Sequence, residues 1–312
     1  MILIGTSGWS YPNGAGTWNG VFYPPRGSRS AGASKELPYY AEHFDTVEVN
    51  STFYRPPDPR VTRRWVEQTP PRFEFSVKLY QAFTHPGMRG RGTPKEKGVS
   101  PIPGPAAADF DAFLAGLDPI ASSGKLGMLL VQFPASFHRT EEAHTYLGAL
   151  LSSLKNFPLA VELRHRTWSD ALADTEALLG EFDASWVQID EPKFRFSIRQ
   201  NPRRAGKGRY YLRLHGRNAA NWWKHDSPDD RYNYLYSPEE LDQFATAVRD
   251  AGSRVEKAYV YLNNHFAAKA VVNATVLKHQ LGQPVKGEYR RELVERYPEL
   301  EPIVGRGERL LP

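Results

Sequence analysis

Polar side chains stand two residues apart at the ends of several strand-like segments of this chain. In an extended strand, residues i and i+2 share one face, so Glu48 and Asn50 form such a pair in the segment FDTVEVNSTFY. A buried strand is usually a continuous apolar run, and a carboxylate within one needs a partner or a chemical role. The same spacing recurs in Ser76 with Lys78, Glu162 with Arg164, Gln188 with Asp190 and Arg213 with His215, and two further segments end in Gln132 and Asn263.

These residue types can together bind an anion and move a proton. We predict that Lys78, Arg164 and Arg213 hold an anionic ligand. Glu48 or Glu162 would then act as general base and His215 as general acid. A structural alternative stays open, in which three acids simply neutralise the three basic residues inside the fold: Glu48, Glu162 and Asp190.

Three functional hypotheses follow from these residues. The first is a hydrolase-type enzyme acting on a phosphorylated or sugar-like small molecule. The second is a metal-dependent phosphodiesterase or endonuclease-like enzyme acting on nucleic acid, with His215, Glu162 and Asp190 as metal ligands. The motifs HxH and HExxH are absent, and neighbouring Arg and Lys would repel a divalent cation, so no cofactor is predicted and a divalent metal is the alternative. The third is a non-catalytic protein that binds an anion or a nucleotide.

Aromatic residues are concentrated near the same strand ends. Trp9 and Tyr11 follow the first strand, and Phe53 and Tyr54 follow the second. Their rings could stack on a sugar or a base, or could seal long loops onto the fold. The phosphate-binding patterns GxGxxG and GxxxxGK[ST] are absent, as is the GxSxG nucleophile motif.

The elements that must position these residues alternate between strand and helix. Eight strands separated by helical patterns favour a parallel sheet, and eight is the number that closes a TIM (β/α)8-type barrel. We predict helices over 35–43, from Asp58-Pro59, around 110–117, and over 140–155, 169–182, 237–252 and 267–281, with none after the sixth strand. The predicted strands are 2–6, the segment from Phe44, 72–78, 126–133, 159–164, 185–190, 209–215 and 258–263.

Three long connections of the chain are of the strand-to-helix type. Residues 7–34, 79–105 and 216–236 each follow a strand and precede a helix, whereas helix-to-strand connections are tight. In TIM barrels the strand-to-helix loops form the carboxyl-terminal face, where active sites lie. We therefore predict one barrel domain over 1–283 with its site on that face. Residues 284–312 are predicted to form a short C-terminal extension, with a helix over 288–297.

Composition limits the class of protein and its partners. The 312 residues carry a formal net charge of +5, with 40 Lys and Arg against 35 Asp and Glu, and contain no cysteine. Disulfides and cysteine-ligated metals are thereby excluded. No leader pattern and no membrane-length apolar run is present, which predicts a cytoplasmic protein without a membrane partner. The expected partner is a small anionic ligand, nucleic acid is possible, and no oligomeric state is predicted.

Seven ordered segments resemble the YecE-like family, domain of unknown function 72. They are IGTSGWSY, FDTVEVNSTFYR, FEFSVK with a following TH, LGMLLVQFPASF, AVELRHRTW, YYLRLHG and YVYLNNH. The resemblance spans nearly all of residues 2–281 and implies a TIM-type barrel, with no assigned reaction. Relatives commonly carry an acid where this chain has His265. The family also has a fold-level likeness to metal-dependent barrel endonucleases.

Matching positions extend the set of candidate ligand-binding residues. The resemblance adds Thr52, His165 and Asn264 to those already derived from strand ends. His85 and Trp168 also match the family's motifs. The predicted ligand-binding set is Trp9, Tyr11, Asn50, Thr52, Tyr54, Lys78, Gln132, Arg164, His165, Asp190, Arg213, Asn263 and Asn264.

Overall fold

The computed structural model describes residues 1–27, 33–85, 107–201, 208–223, 227, 229–304 and 310–311. Most of the predicted long loop over 79–105 lies outside these residues. The helices are α1 Ala33–His43, α2 Pro59–Glu67, α3 Ala107–Ser122, α4 Glu141–Leu154, α5 Arg166–Asp170, α6 Leu172–Glu181, α7 Pro238–Gly252, α8 Lys269–Gln280, α9 Arg291–Arg296 and α10 Glu301–Val304. The strands are β1 Ile2–Thr6, β2 Thr46–Val49, β3 Glu74–Lys78, β4 Leu126–Gln132, β5 Leu159–Glu162, β6 Ser185–Trp186, β7 Gln188–Asp190, β8 Arg209–Leu214, β9 Lys257–Leu262, β10 Tyr289–Arg290 and β11 Leu310–Leu311.

Two parallel sheets form the centre of this mixed α/β fold. Their strand orders are β1-β9-β8-β7 and β2-β3-β4-β5-β6, and the pairs in both are parallel. The predicted parallel sheet and strand–helix alternation are therefore confirmed. A small third pairing joins β10 to β11.

The predicted sixth strand, 185–190, is divided into β6 and β7. Ser185 and Trp186 pair with β5 of one sheet, whereas residues from Gln188 onward pair with β8 of the other. Val187 lies between them, and its amide still donates to Val161 of β5 at 2.9 Å. The strand is interrupted because the chain passes from one sheet to the other at this residue.

The opposite edges of the two sheets also approach each other. Ser7, just beyond β1, forms a parallel bridge with Glu48 of β2, and the Gly8 amide donates to the Glu48 carbonyl at 2.7 Å. Gly5 makes this approach possible, because a Cβ there would lie 2.2 Å from the carbonyl oxygen of Thr46. Two edges of the sheets are thus in backbone contact.

Local sequence signals explain where several helices begin. Asp58 accepts a hydrogen bond from the Arg60 amide ahead of Pro59, and Ser237 with Glu240 forms a capping box at the start of α7. Both caps lie where the sequence predicts these helices to begin. The single helix predicted over 169–182 is wrong, because Ala171 adopts φ −100° and ψ 49° and separates α5 from α6.

The fifth strand ends earlier than predicted, at Glu162 instead of residue 164. Beyond it the chain pairs with a different partner: the Ile198 amide donates to the Arg164 carbonyl, and the Arg166 amide donates to the Phe196 carbonyl, both at 2.8 Å. His165 and Ser197 form an antiparallel bridge. Residues 191–198, which follow β7, are therefore folded back over the end of β5.

The C-terminal residues pack against the outer helices. Tyr297 donates to the Ala267 carbonyl at 2.7 Å, and Lys286 forms an exposed ion pair with Asp45 at 2.8 Å. The helix predicted over 288–297 begins later, at Arg291, because Tyr289 and Arg290 form β10. Within the described residues no helix is long and apolar enough to cross a membrane.

Candidate functional site

A cavity of about 740 Å³ lies at the carboxyl ends of the parallel strands. The residues that line it follow β1, β2, β3, β4, β5, β7, β8 and β9, so strands of both sheets contribute. Of the candidate ligand-binding residues, nine line it: Trp9, Tyr11, Asn50, Tyr54, Lys78, Gln132, Arg164, Arg213 and Asn263.

Arg213 occupies the floor of this cavity and is almost fully buried. Its guanidinium donates to both carboxylate oxygens of Glu48, from Nε at 2.9 Å and from Nη2 at 2.7 Å, and from Nη1 to Glu162 at 2.6 Å. Tyr211 adds a hydroxyl donor to Glu48 at 2.7 Å. Buried charges are tolerated when they are paired and hydrogen-bonded in this way. Glu48 therefore serves as the counter-charge of Arg213.

Arg164 is the second guanidinium of the floor. Its Nε donates to Glu162 at 2.6 Å, and its Nη2 faces Nε2 of His215 at 3.2 Å. Burial alone would raise the pKa of Glu162, but the positive charges of Arg213 and Arg164 hold it well below its ordinary value. Glu162 is consequently a weak base, with its two oxygens bonded to two different guanidinium groups.

His215 is buried beside these cations. Burial and the charges of Arg164 and Arg213 lower its pKa to about 3, so the ring is neutral at pH 7. Nε2 of His215 faces the Arg164 guanidinium, which can only donate, and Nδ1 faces the amide nitrogen of Asn263, which is also a donor, at 2.8 Å. Both ring nitrogens are thus occupied by protein groups.

Lys78, the last residue of β3, differs from the other cations of the site. Among the described residues, Nζ has no hydrogen-bond or salt-bridge partner, and it lies 4.0 Å from the ring centre of Phe53. Burial, followed by the positive charge of Arg213, lowers the pKa of Lys78 to about 7. The amine is therefore divided between its charged and neutral forms at neutral pH.

Glu191 is a buried carboxyl on the cavity wall that the sequence analysis missed. It follows β7 directly, and its Oε2 is 3.4 Å from Arg164 Nη1 but accepts no hydrogen bond within the described residues. Burial raises the pKa of Glu191, while the charge of Arg164 only partly opposes this. Glu191, Lys78 and Asp229 are ionisable groups of the cavity whose pKa values are shifted toward neutral pH, and Glu191 and Lys78 are the more deeply buried of the three.

Aromatic rings form the walls. Tyr11 stacks on His265 with ring centres 4.2 Å apart and planes at 11°, and Tyr232 packs on His265 at 4.8 Å. On another side, Phe194 and Phe196 lie 5.6 Å apart with nearly parallel planes. Trp223 lies about 6 Å from both and is 58% exposed. These rings offer flat apolar surfaces above the charged floor.

Besides Oε2 of Glu191, further buried polar atoms of the wall have no hydrogen-bond partner in the described part of the chain. They include Oδ1 of Asn50 and Nδ1 of His265. Burying a polar group without a hydrogen bond is costly, so atoms of this kind commonly meet a ligand or an ordered water. Together with Lys78 and Glu191 they mark the polar contacts that an occupant of the cavity could satisfy.

Four of the residues predicted to bind a ligand are not among those that line the cavity. The Thr52 hydroxyl donates to the Lys78 carbonyl at 2.6 Å, and Asn264 donates to Asn273 at 2.7 Å. His165 caps α5, stacks on His138 and hydrogen-bonds the Thr167 hydroxyl at 3.0 Å. Asp190 accepts from Arg217 at 2.8 and 3.0 Å and from Tyr236 at 2.7 Å. In this structure all four side chains are engaged in hydrogen bonds with other residues of the same chain.

The three residues considered as metal ligands in the sequence analysis are each held by an arginine side chain. Glu162 lies 3.6 Å from His215, but both are bound to guanidinium groups, and Asp190 is bound to Arg217. Over the residues that the structure describes, no group of three or more His, Cys, Asp or Glu side chains is arranged to hold a metal ion.

The wall residues that were absent from the sequence prediction include Glu191, Phe194, Phe196, Asp229, Arg231 and Tyr232. A signal for three of them is present in EPKFRF, where basic and aromatic residues alternate directly after a strand. The absence of a predicted helix there already indicated a loop at the carboxyl end of β7. Residues 229–232 lie within the predicted long loop over 216–236.

Fold and site together define an α/β protein of parallel strands with a polar, aromatic-walled cavity at their carboxyl ends. The profile of the family described as "Protein of unknown function DUF72" matches residues 3–296. The chain belongs to this family, which confirms the resemblance found in the sequence.

Individual relatives agree with this assignment. The UPF0759 protein YunF of Bacillus subtilis strain 168 is 30% identical over 300 residues, which cover 94% of this chain and 99% of that protein. The UPF0759 protein YecE of Escherichia coli K12 is 30% identical over 173 residues, 53% of this chain and 49% of YecE. A DUF72 family protein of Thermotoga maritima MSB8, known from a crystal structure, is similar with a TM-score of 0.74 and 32% identity over 91% of this chain and all of the other.

A second solved structure gives the same result. It is a DUF72 family protein of Enterococcus faecalis V583, with a TM-score of 0.74 and 26% identity over 91% of this chain and 96% of that protein. These names assign a family and no reaction.

Proposed function

We propose that this protein is an enzyme that binds a small anionic ligand in the cavity and acts on it by general acid/base chemistry. The observation that carries the proposal is the pair formed by Lys78 and Glu191. Both are ionisable and line the cavity, and neither Nζ of Lys78 nor Oε2 of Glu191 has a hydrogen-bond partner in the described residues. Hydrolysis of a phosphorylated or sugar-like compound is the reaction class that we favour.

The anionic character of the ligand is supported by the charges of the floor. Glu48 and Glu162 neutralise Arg213 and Arg164, so the protonated form of Lys78 supplies a positive charge that is not paired with a carboxylate of the described residues. Guanidinium edges beside it offer further donors. An anion bound there would favour the protonated amine and raise the pKa of Lys78.

The acid and base roles differ from those predicted from sequence. Glu48 and Glu162 are bound to guanidinium groups and His215 is neutral, so the three groups first assigned to catalysis maintain the floor. A general base with a pKa near the working pH is more effective, which favours Lys78 in its neutral form. Glu191, whose pKa is raised, is then the general acid.

We also infer that the two sheets close into the predicted TIM (β/α)8-type barrel over 1–283, with 284–312 as its extension. The bridge between Ser7 and Glu48 at one seam, and the direct passage of the chain from one sheet to the other at Val187 at the second seam, support closure. Closure would explain why strands of both sheets contribute to one cavity.

A non-catalytic binding protein is the second candidate, since every acid/base residue first predicted is engaged in the salt-bridge network. The metal-dependent nuclease hypothesis has no comparable support, because its three proposed ligands are each bound by arginine.

Anion binding is tested by titrating the protein with inorganic phosphate, pyrophosphate, sugar phosphates and nucleoside monophosphates. Trp9, Trp222 and Trp223 line the cavity, so tryptophan fluorescence reports occupancy. We expect binding that Lys78→Met weakens roughly ten-fold or more, about 1.4 kcal/mol. Lys155→Met, which removes a charge from the exposed end of α4, is the matched control and should bind normally.

The same panel separates enzyme from binder. Turnover of any bound compound that Glu191→Gln abolishes while binding persists supports catalysis. Binding without turnover by the native protein would favour the second candidate, and absence of anion binding altogether would overturn both.

A further inference from the structure

We propose that Lys78 is a nucleophile whose amine forms an imine with a small aldehyde, ketone or oxo acid that carries an anionic group. This inference rests on the proposed binding of an anionic ligand in the cavity and names the reactive group of that ligand. It adds a covalent role for Lys78 to the proton transfer already proposed for its neutral amine.

The surroundings of Lys78 differ from those of other enclosed lysines in the chain. Lys125 donates to two backbone carbonyls and a hydroxyl at 2.8 to 3.0 Å, Lys278 donates to the His43 carbonyl at 3.1 Å, and Lys257 is paired with Glu74 at 2.7 Å. An ammonium group has three protons to donate, yet Nζ of Lys78 has no acceptor within the described residues. This environment suits the neutral amine, which needs no acceptor.

Reactivity requires that neutral form, because its lone pair attacks the carbonyl carbon. Burial and the adjacent Arg213 lower the pKa of Lys78 to about 7, which leaves about half of the amine neutral at pH 7. An ordinary lysine with a pKa near 10.4 is neutral in roughly one molecule in 2,500 at that pH. Desolvation beside another cation is a known way to activate a lysine nucleophile.

The position of the amine is also fixed by the fold. Lys78 ends β3, where its carbonyl accepts from the Thr52 hydroxyl at 2.6 Å, and the next amide, Leu79, donates to Leu130 of β4 at 2.9 Å. Its side chain extends over Phe53 into the cavity. A reactive group on a strand end is held more precisely than one on a loop.

The chemical steps balance with the groups present. The Lys78 nitrogen forms a bond to the carbonyl carbon while the carbon–oxygen π bond breaks, and one amine proton passes to the oxygen to give a carbinolamine. The protonated Glu191 carboxyl then gives its proton to the departing hydroxyl, which leaves as water. The nitrogen lone pair forms the C=N bond, leaving a protonated imine and the Glu191 carboxylate. No oxidant or reductant is needed.

The anionic group of the substrate has two possible sources, a phosphate or a carboxylate. Both are recognised by the same guanidinium edges of Arg164 and Arg213. The experiment therefore uses three probes: glyceraldehyde 3-phosphate, glyoxylate and, as the uncharged comparison, glycolaldehyde. Each is incubated with the full chain at pH 7 in the presence of cyanoborohydride, which reduces an imine to a stable amine.

Intact mass and peptide mapping then identify the modified residue. We expect one adduct per chain, on Lys78, formed at least ten-fold faster with an anionic probe than with glycolaldehyde and slowed by inorganic phosphate. Preference for glyceraldehyde 3-phosphate over glyoxylate would support a phosphorylated substrate, and the reverse would support an oxo acid. Lys78→Arg, which keeps a positive charge but forms no imine, should give no adduct at this position.

Lys278 is an internal control, because its pKa is also lowered, to about 8, but it is not among the residues that line the cavity. Labelling of Lys278 or of exposed lysines at the rate of Lys78 would overturn the inference. So would equal rates with glycolaldehyde. If phosphate binds by tryptophan fluorescence but Lys78 stays unmodified, the imine is rejected while the proposed function stands. If no anion binds and no adduct forms, both fail.

Discussion

Arg213 and Glu48 are joined by two parallel hydrogen bonds, Nε to Oε2 at 2.9 Å and Nη2 to Oε1 at 2.7 Å, across 165 residues of sequence. Neither side chain is exposed by more than 1%. The pair links β2 of one sheet to β8 of the other at the floor of the cavity. A carboxylate that the strand pattern marked for catalysis is thereby part of the structure that supports the site.

Removing that carboxylate charge should destabilise the fold. In Glu48→Gln, Arg213 keeps its charge but loses half of its buried compensation, and breaking a buried pair in this way costs about 3–5 kcal/mol. Urea unfolding at pH 7 measures the loss. Glu295→Gln removes one member of the exposed pair with Arg291 and should cost no more than about 0.5 kcal/mol. Equal effects of the two variants would show that the floor network is not structural.

A second prediction concerns the neutral histidine of the floor. The pKa of His215 is about 3 in the folded protein and near 6.5 in the unfolded chain, so the unfolded state binds more protons between these values. The free energy of unfolding must then fall as pH decreases through this window, by up to about 1.4 kcal/mol per pH unit from this residue.

The measurement is the unfolding free energy of wild type and His215→Gln between pH 7.5 and 4.5. The difference in unfolding free energy between wild type and His215→Gln should be constant above pH 7. Below about pH 6.5, wild type should lose stability relative to the variant. His279→Gln, at an exposed position on α8, controls for the loss of a histidine as such. Parallel curves for wild type and His215→Gln would mean that His215 is not held neutral.

Much of this fold follows from local pattern in the sequence. The strand predicted in the segment from Phe44 and the helix predicted over 237–252 each depend on residues a few positions apart, and both are confirmed as β2 and α7. The break at Val187 depends on which of two sheets each half of the strand joins. That choice is made by partners far along the chain, so the strand pattern alone did not reveal it.

Several residues that line the cavity were predictable from the sequence, whereas the contacts that they make with one another were not. The rule that residues i and i+2 share one face of a strand predicted that Glu48, Arg213 and Glu162 lie together. The structure places them within hydrogen-bond distance. This spacing within a strand does not predict which charged side chains pair with one another and which remain available to a ligand, because that depends on distances between strands. Glu191 and Phe194 were missed because their loop folds back over β5 through pairing that leaves no periodic signal.

Gly5 offers a test of the seam between the two sheets. An added methyl group would lie 2.2 Å from the Thr46 carbonyl oxygen and 3.0 Å from the Tyr40 hydroxyl, so β1 and β2 would have to separate. Gly5→Ala should therefore destabilise the protein by about 1–3 kcal/mol, the usual cost of overpacking.

The matched control for that substitution is Gly180→Ala. Gly180 lies in α6, is exposed and has open space where a Cβ would be added. Alanine is the better helix former, so this variant should be neutral or stabilised by up to about 1 kcal/mol. Urea unfolding compares both with wild type. If Gly5→Ala is as stable as Gly180→Ala, the close approach of β1 to β2 is incorrect, and barrel closure loses its support at this seam.

The last prediction concerns the loss of stability caused by burying the protonated Lys78 amine in the cavity wall. The pKa of Lys78 is about 7 in the folded protein and near 10.4 in the unfolded chain, so between these values the unfolded state binds more protons. The unfavourable contribution of Lys78 to the free energy of unfolding is complete below pH 7. It is relieved as pH rises toward 10.4, by up to about 1.4 kcal/mol per pH unit.

The variant Lys78→Met lacks this contribution. Relative to the variant, wild type should therefore gain stability between pH 7 and 9.5 and keep a constant deficit below pH 6. Saturating phosphate should reduce the gain, because a bound anion keeps the amine protonated. A pH-independent difference would show that Lys78 is an ordinary lysine, and would remove the basis for both its proton transfer and its imine chemistry.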